Sequence, residues 1–247
     1  MTAVLYAIPA SHPCAVAEKA LQLKGVSYRR VELLPVAHRL PQRARFGSPS
    51  VPGLEFADGA RVSGSRAIVR ALEQRVPSPP LLPSAPAARA RVELAEEWGD
   101  QVLQPLTRRV IWAALRRIPA AIESYTTGAE LPVPDALARL SAPLVARLAQ
   151  AANGARDASV RADLIGLPTQ LARVDGWIAD GTLGGAALSA ADLQVASSLR
   201  LLLTIEDLRP LLEARPAGAL ARRVFPHHPG SVSAGALPAG WVRRSRI

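Results

Sequence analysis

The chain opens with a short apolar run, Ala3 to Ile8, whose β-prone character is that of a strand buried on both faces, and Pro9 ends it. From Ser11 the period changes. Val16, Ala20 and Leu23 fall at i, i+4 and i+7 on one helical face, and Lys24-Gly25 supplies a basic last turn and a glycine stop. Val26, Tyr28 and Val31 restore strand character up to Leu33, and a helical crossover between two strands implies parallel pairing. Residues 35–49, rich in Arg and Pro, read as a loop. Leu54 and Phe56 precede Asp58-Gly59 and Arg61-Val62, a hairpin pattern in which glycine takes the positive φ of the turn. Ser65 then stands as the N-cap of a helix carrying Ile68, Ala71 and Leu72 on one face. The order is βαβ followed by ββα.

Pro77, Pro79, Pro80, Pro83 and Pro86 forbid both helix interior and sheet centre, so residues 77–86 read as a linker after a first domain at 1–76. Beyond it the apolar spacing is helical throughout. Trp98, Val102, Leu106 and Val110 recur at threes and fours, as do Leu137, Leu140, Leu144 and Leu148, and again Val160, Leu164, Leu167, Leu171, Val174 and Ile178. An all-helical bundle at 87–225 is expected, with Pro105, Pro143 and Pro168 kinking or breaking their helices. Ser189 and Asp192 can satisfy each other's backbone amides as a variant capping box ahead of Val195, Leu199 and Leu202. Residues 226–247, with His227-His228 and repeated Gly, Pro and Ser, read as an irregular tail.

Composition agrees with a helix-dominated core, since 49% of residues are hydrophobic but only 4% aromatic. The net charge of +10 raises nucleic acid or an anionic membrane as partners. Of the 30 basic residues, however, only Lys19 and Lys24 are lysine, and the arginines are spread over both halves. With abundant Ala, Pro and Gly this resembles the coding bias of a GC-rich genome, and only Arg243, Arg244 and Arg246 cluster, at the C-terminal end. Neither nucleic acid nor membrane is expected as a partner. The lone Cys14 excludes an internal disulfide and any cysteine-based metal cluster, and no metal site is expected at His227-His228. The apolar opening lacks a basic flank and is interrupted by Pro9, His12 and Pro13, so it does not read as a signal peptide, and a soluble cytoplasmic protein is expected.

The chemistry concentrates at Ser11-His12-Pro13-Cys14, where the first strand turns into the first helix. A helix N-terminus offers unpaired N–H groups and a partial positive charge, which stabilise a thiolate or another anion, and a hydroxyl at the cap can hydrogen-bond it. Alternatively, Ser11 only caps the helix and Cys14 is a buried hydrophobe. Trp98, Trp112 and Trp177 are expected to pack in the core.

Together, these elements resemble the glutathione transferase superfamily, with its thioredoxin-like N-terminal domain and helical C-terminal domain. Leu5-Tyr6 through Pro9, Ser11, Cys14, Leu21, Lys24-Gly25-Val26 and Tyr28 are similar to the family's first strand, active-site turn and first helix. Val51-Pro52-Gly53-Leu54 resembles its cis-proline loop, Gly64-Ser65-Arg66-Ala67-Ile68 its Glu-Ser-x-Ala-Ile segment, and Pro80-Leu81-Leu82-Pro83 its linker. The resemblance implies that Ser11 activates the thiol of glutathione and that Val51, before a cis Pro52, pairs with the cysteinyl backbone. It further implies that Ser65, with the N-terminus of its helix, holds the γ-glutamyl carboxylate, that Gly64 and Arg66 beside it belong to the thiol-binding set, and that His38 and Arg39 lie where some members meet the glycyl carboxylate. Gly64 stands where the family has an acid, so the usual partner of the γ-glutamyl ammonium is missing.

The resemblance thus implies a homodimeric transferase that takes glutathione, or another small thiol, as cosubstrate, with no permanently bound cofactor, and joins it to a small apolar electrophile. A non-catalytic scaffold that has lost the thiol, and a glutaredoxin-like redox protein using Cys14, are the alternatives.

Overall fold

The computed structural model describes residues 2–242, so the Arg243, Arg244 and Arg246 cluster lies outside the described residues. Strand β1 (Ala3–Ala7) pairs in parallel with β2 (Tyr28–Glu32) across helix α1 (His12–Leu23). Strand β3 (Gly53–Glu55) runs antiparallel beside β1 and forms the hairpin with β4 (Arg61–Ser63), giving a mixed sheet in the order β2-β1-β3-β4. Helix α3 (Ser65–Arg75) packs beside α1. This is the thioredoxin-like arrangement, and an all-helical half follows it.

β1 is fully buried on one face only, through Ala3, Leu5 and Ala7. The other face is half-covered, which corrects the expectation of a strand enclosed on both sides. Its cover comes from a helix, α2 (Arg39–Phe46), in the stretch that reads as loop. Phe46 meets the Tyr6 ring edge-on at 5.4 Å, and Arg45 lies over the same ring and pairs with Glu55. Pro41 sits in the first turn, where its missing N–H costs nothing, and Gly47 closes the helix at φ 71°.

The helical half comprises α4 (Pro86–Trp98), a π-helical turn at Gly99–Leu103, α5 (Gln104–Arg117), α6 (Ile122–Thr126), α7 (Asp135–Ala152), α8 (Asp157–Ala179), α9 (Ala190–Leu202), α10 (Arg209–Glu213) and α11 (Pro216–Val224). Every residue of α9 except Arg200 is buried, and it packs against α1, α3, α4, α5 and α11. Both bonds of the Ser189/Asp192 capping box are present at its start. The backbone passes Pro105 through the π-helical turn, but α7 and α8 run on through Pro143 and Pro168, so neither residue ends its helix.

Two further readings change. Leu137, Leu140, Leu144 and Leu148 do share one face of α7, but that face is exposed, with Leu140 at 80%, while Ala142, Ala146 and Ala149 pack inward. Nor are the described residues after 225 loose. Asp207 accepts bonds from the amides of Gly235 and Leu237 at 2.8 Å each, Val232 bridges to Ile205, and Val232, Ala236 and Leu237 are buried. Among the described residues, no helix is long and apolar enough to cross a membrane.

Candidate active site

Ser11 takes the N-cap position of α1, with an extended backbone and with its carbonyl accepting from the Ala15 amide at 2.9 Å. Its hydroxyl makes no capping bond to the helix. Half-buried, Ser11 borders a cavity that opens between the two halves. Across it stand Ile111, Trp112 and Leu115 of α5 and Tyr125 of α6. Trp112 is therefore a wall of the cavity, because the outward-facing side of α5 turns toward the first domain. Trp98 and Trp177 instead pack edge-to-face at 5.2 Å.

Three residues later, Cys14 faces inward and is buried. Burial pushes its thiol up to about 11, against the opposing hydrogen bond from Ser11. At neutral pH Cys14 is a protonated thiol with no path to a substrate. His12, the first helical residue, is also buried, with Nε2 unpartnered among the described residues. Burial, with Arg108 and His228 nearby, drives its imidazole well below the usual range, so the ring is neutral.

Val51 lines the same cavity, and the Val51–Pro52 peptide is cis. Among the described residues, neither the N–H nor the C=O of Val51 finds a backbone partner, whereas the carbonyl of Pro52 accepts from the Gly64 amide at 2.8 Å. His38 and Arg39, at the start of α2, are on the cavity's rim, and burial lowers the His38 imidazole.

Ser65 is the first residue of α3, and Gly64 is the cap. The displacement follows from backbone conformation: residue 64 has φ 93° and ψ 141°, which glycine adopts freely and an L-residue only under strain. The sequence therefore has an unstrained turn where an acidic side chain would be strained. Ser63, Gly64, Ser65, Arg66 and Ala67 line a shallow hollow whose far wall is Asp100 in the π-helical turn. The Nε2 of Gln194 donates to Ser65 Oγ at 3.2 Å and to Asp100 Oδ1 at 2.9 Å, and Gln104 Nε2 lies 3.5 Å from each. Burial raises the Asp100 carboxyl, opposed by Arg66 and Arg108. Arg66 itself turns toward Glu96 and Glu97.

Ser11, Val51, His38 and Arg39 thus share one cavity, while Gly64, Ser65 and Arg66 line the neighbouring hollow. Asp100, Gln104 and Arg108 do not figure among the residues the sequence points to, although their i, i+4, i+8 spacing is a polar stripe on one helical face. Gln194, buried in α9, is a second missed signal. His228 is not a solvated tail residue: it borders a second opening beside Ser11, its Nδ1 lies 2.8 Å from the Pro229 carbonyl, and burial lowers it to about 4. Among the described residues, no group of three His, Cys, Asp or Glu side chains is placed to hold a metal.

Residues 5–80 match the glutathione S-transferase N-terminal domain. No curated protein matches the sequence. In fold, the chain is similar to a glutathione S-transferase from Rhodospirillum rubrum F11, with a TM-score of 0.61 and 20% identity over 97% of this chain and 98% of that one. It is also similar to the beta-etherase LigF from Sphingobium sp. strain SYK-6, with a TM-score of 0.62 and 20% identity over 92% of this chain and 99% of the other. A maleylacetoacetate isomerase from Anaeromyxobacter dehalogenans 2CP-1, solved with bound GSH, gives 0.55 and 24% identity over 90% and 89% of the two chains.

Proposed function

We propose that this chain, whose residues 5–80 match the glutathione S-transferase N-terminal domain and whose fold is similar to that of glutathione S-transferases, is an enzyme joining the thiol of glutathione, or of a similar small thiol, to an apolar electrophile. The observation that carries this reading is Ser11 at the mouth of α1, its hydroxyl making no capping bond, on one cavity with the apolar wall of α5. The sulfur loses its proton to solvent and forms a bond to the electrophilic carbon, and the leaving group departs with its electron pair. Ser11 donates to the thiolate, and the N-terminus of α1 adds partial positive charge.

The tripeptide lies extended along Val51, whose unpaired N–H and C=O suit addition of a peptide as a strand. Its γ-glutamyl carboxylate meets the hydroxyl of Ser65 and the first N–H groups of α3, with Gly64 and Arg66 flanking. The glycyl carboxylate reaches His38 and Arg39. Asp100 replaces the acid lacking at position 64 and pairs with the γ-glutamyl ammonium. Residues 2–76 form the thiol-binding unit in this reading, and residues 87–225 complete the electrophile pocket. A thiol-dependent reaction and an unpaired Cys14 suit the reducing cytoplasm.

A thiol panel followed by thermal shift tests the reading, since a ligand that binds only the folded state raises Tm. Glutathione is expected to raise Tm and to support turnover with an activated aryl halide. No shift with any thiol, together with no turnover, would return the chain to a non-catalytic scaffold. Asp100→Asn is expected to raise the KM for glutathione roughly tenfold, the scale of one charge-assisted hydrogen bond, with a smaller effect on kcat. N-acetylglutathione, which lacks the ammonium, should bind the two forms alike. We also propose a two-fold dimer, for which sedimentation at micromolar concentration should give twice the 26.1 kDa of the chain.

A further inference from the structure

Most part-buried cations of this protein have a carboxylate at hand: Lys24 meets Glu73, Arg30 meets Glu18, Arg70 meets Glu96, Arg109 meets Asp163 and Arg215 meets Asp175. Arg108 does not. Among the described residues, no carboxylate lies within ion-pair distance of it, and its Nη2 donates to the neutral amide Oε1 of Gln104 at 2.7 Å. Asp100 acts on it only through space. A guanidinium carries five N–H donors, and a charge taken out of water without a counterion is strongly disfavoured. Two further ionisable neighbours, His12 and Cys14, offer no compensation, since His12 is neutral and Cys14 is protonated.

The position of Arg108 says where its counterion comes from. Arg108, Ile111, Trp112 and Leu115 fall at i, i+3, i+4 and i+7 on α5, and all four line the cavity that Ser11 borders. One helical stripe therefore presents a cation followed by about 10 Å of apolar wall. In the proposed reading the two carboxylates of glutathione are matched elsewhere, by Ser65 and by His38 with Arg39.

We propose that Arg108 recognises a carboxylate on the second substrate, so that the pocket selects an apolar acid, of arylalkanoic size, over its neutral counterpart. This rests on the reading of the cavity as the electrophile site. The acid end lies on Arg108, the body lies along Ile111, Trp112 and Leu115, and the electrophilic carbon lies toward Ser11.

Calorimetric titration with 4-phenylbutyrate and with 4-phenylbutanamide, no thiol present, measures the selection without turnover. Wild-type protein is expected to bind the acid roughly ten- to a hundredfold tighter than the amide, the range for a hydrogen-bonded charge. In Arg108→Gln the ratio should fall close to one, and Arg108→Lys, a point charge without the planar fork, should keep part of it. Equal binding of acid and amide by the wild type, or a preference that survives Arg108→Gln, overturns the proposal, and the wild-type ratio decides should the glutamine variant not fold. A parallel titration with glutathione reads the transferase assignment separately. In turnover with an electrophilic acid and its amide, Arg108→Gln should lower kcat/KM for the acid alone. Equal losses for both, with a displaced pH profile, would instead place Arg108 on the thiol and sink the proposal.

Discussion

Replacing Ser11 by Ala is expected to lower turnover with an activated aryl halide by roughly tenfold to a thousandfold, the effect of removing one preorganised donor. A free thiol with a pKa near about 8.5 is only a few per cent ionised at neutral pH. A hydroxyl aimed at the sulfur, beside a helix N-terminus, increases the thiolate available for attack. The fold should be intact, because the hydroxyl makes no capping bond whose loss would weaken α1. Cys14→Ala is expected to leave turnover nearly unchanged, since the thiol is buried and, at a pKa of about 11, protonated. Steady-state kinetics on the two variants, with circular dichroism as the folding control, makes the comparison. Full activity in Ser11→Ala with loss in Cys14→Ala would replace the transferase mechanism by thiol redox chemistry.

The second large effect is on stability. Lys24 follows the last turn of α1 with its side chain fully buried, at 0% exposure, and its Nζ meets Glu73 Oε2 at 2.5 Å, the Pro79 carbonyl at 2.6 Å and the Pro77 carbonyl at 3.4 Å. The Glu73 carboxylate also accepts the Leu81 amide at 3.0 Å and 3.2 Å, and the Leu81 carbonyl in turn accepts from Ala190 at the start of α9. One ion pair therefore fastens α1, α3, the proline-rich linker and the helical half together. Glu73→Ala would leave an ammonium buried against two carbonyls and is expected to cost about 3–5 kcal/mol. For a chain of this size each kcal/mol lowers Tm by roughly 2–4 °C. Lys24→Met removes the buried charge and leaves Glu73, 16% exposed, with its amide donor and access to water, so it should cost less. Thermal unfolding of the two variants at pH 7 checks the order. A Lys24→Met protein as unstable as Glu73→Ala would show that packing, rather than charge, holds the junction.

Local pattern carried most of the N-terminal half. The unbroken run at β1, the change of period at Ser11 and the Asp58-Gly59 turn are decided by neighbours in sequence, and the parallel β1–β2 pairing follows from them. Helix α2 escaped because Pro41 and four polar residues mask its single anchoring aromatic, Phe46, whose partner Tyr6 is forty residues away in sequence. The α7 leucines show a second limit. Periodicity identifies a face but not what covers it, and alanines made the contacts there. Ser65 was misplaced by one residue because the positive φ of Gly64 is set by its bond to Pro52, a tertiary contact. Ser11 and Val51 were legible through their motifs. Asp100, Gln104, Arg108 and Gln194 were not, because their proximity to Ser65 or Ser11 depends on how the helical half docks.

The buried thiol of Cys14 also makes the protein its own gauge of opening. With a single cysteine in the sequence, a soluble alkylating reagent can mark a molecule only while α1 is lifted from the sheet, so the labelling rate follows the population of that opened state. A cysteine engineered at the surface would react long before Cys14, giving a chain that accepts one probe at one chosen place without first removing a native residue.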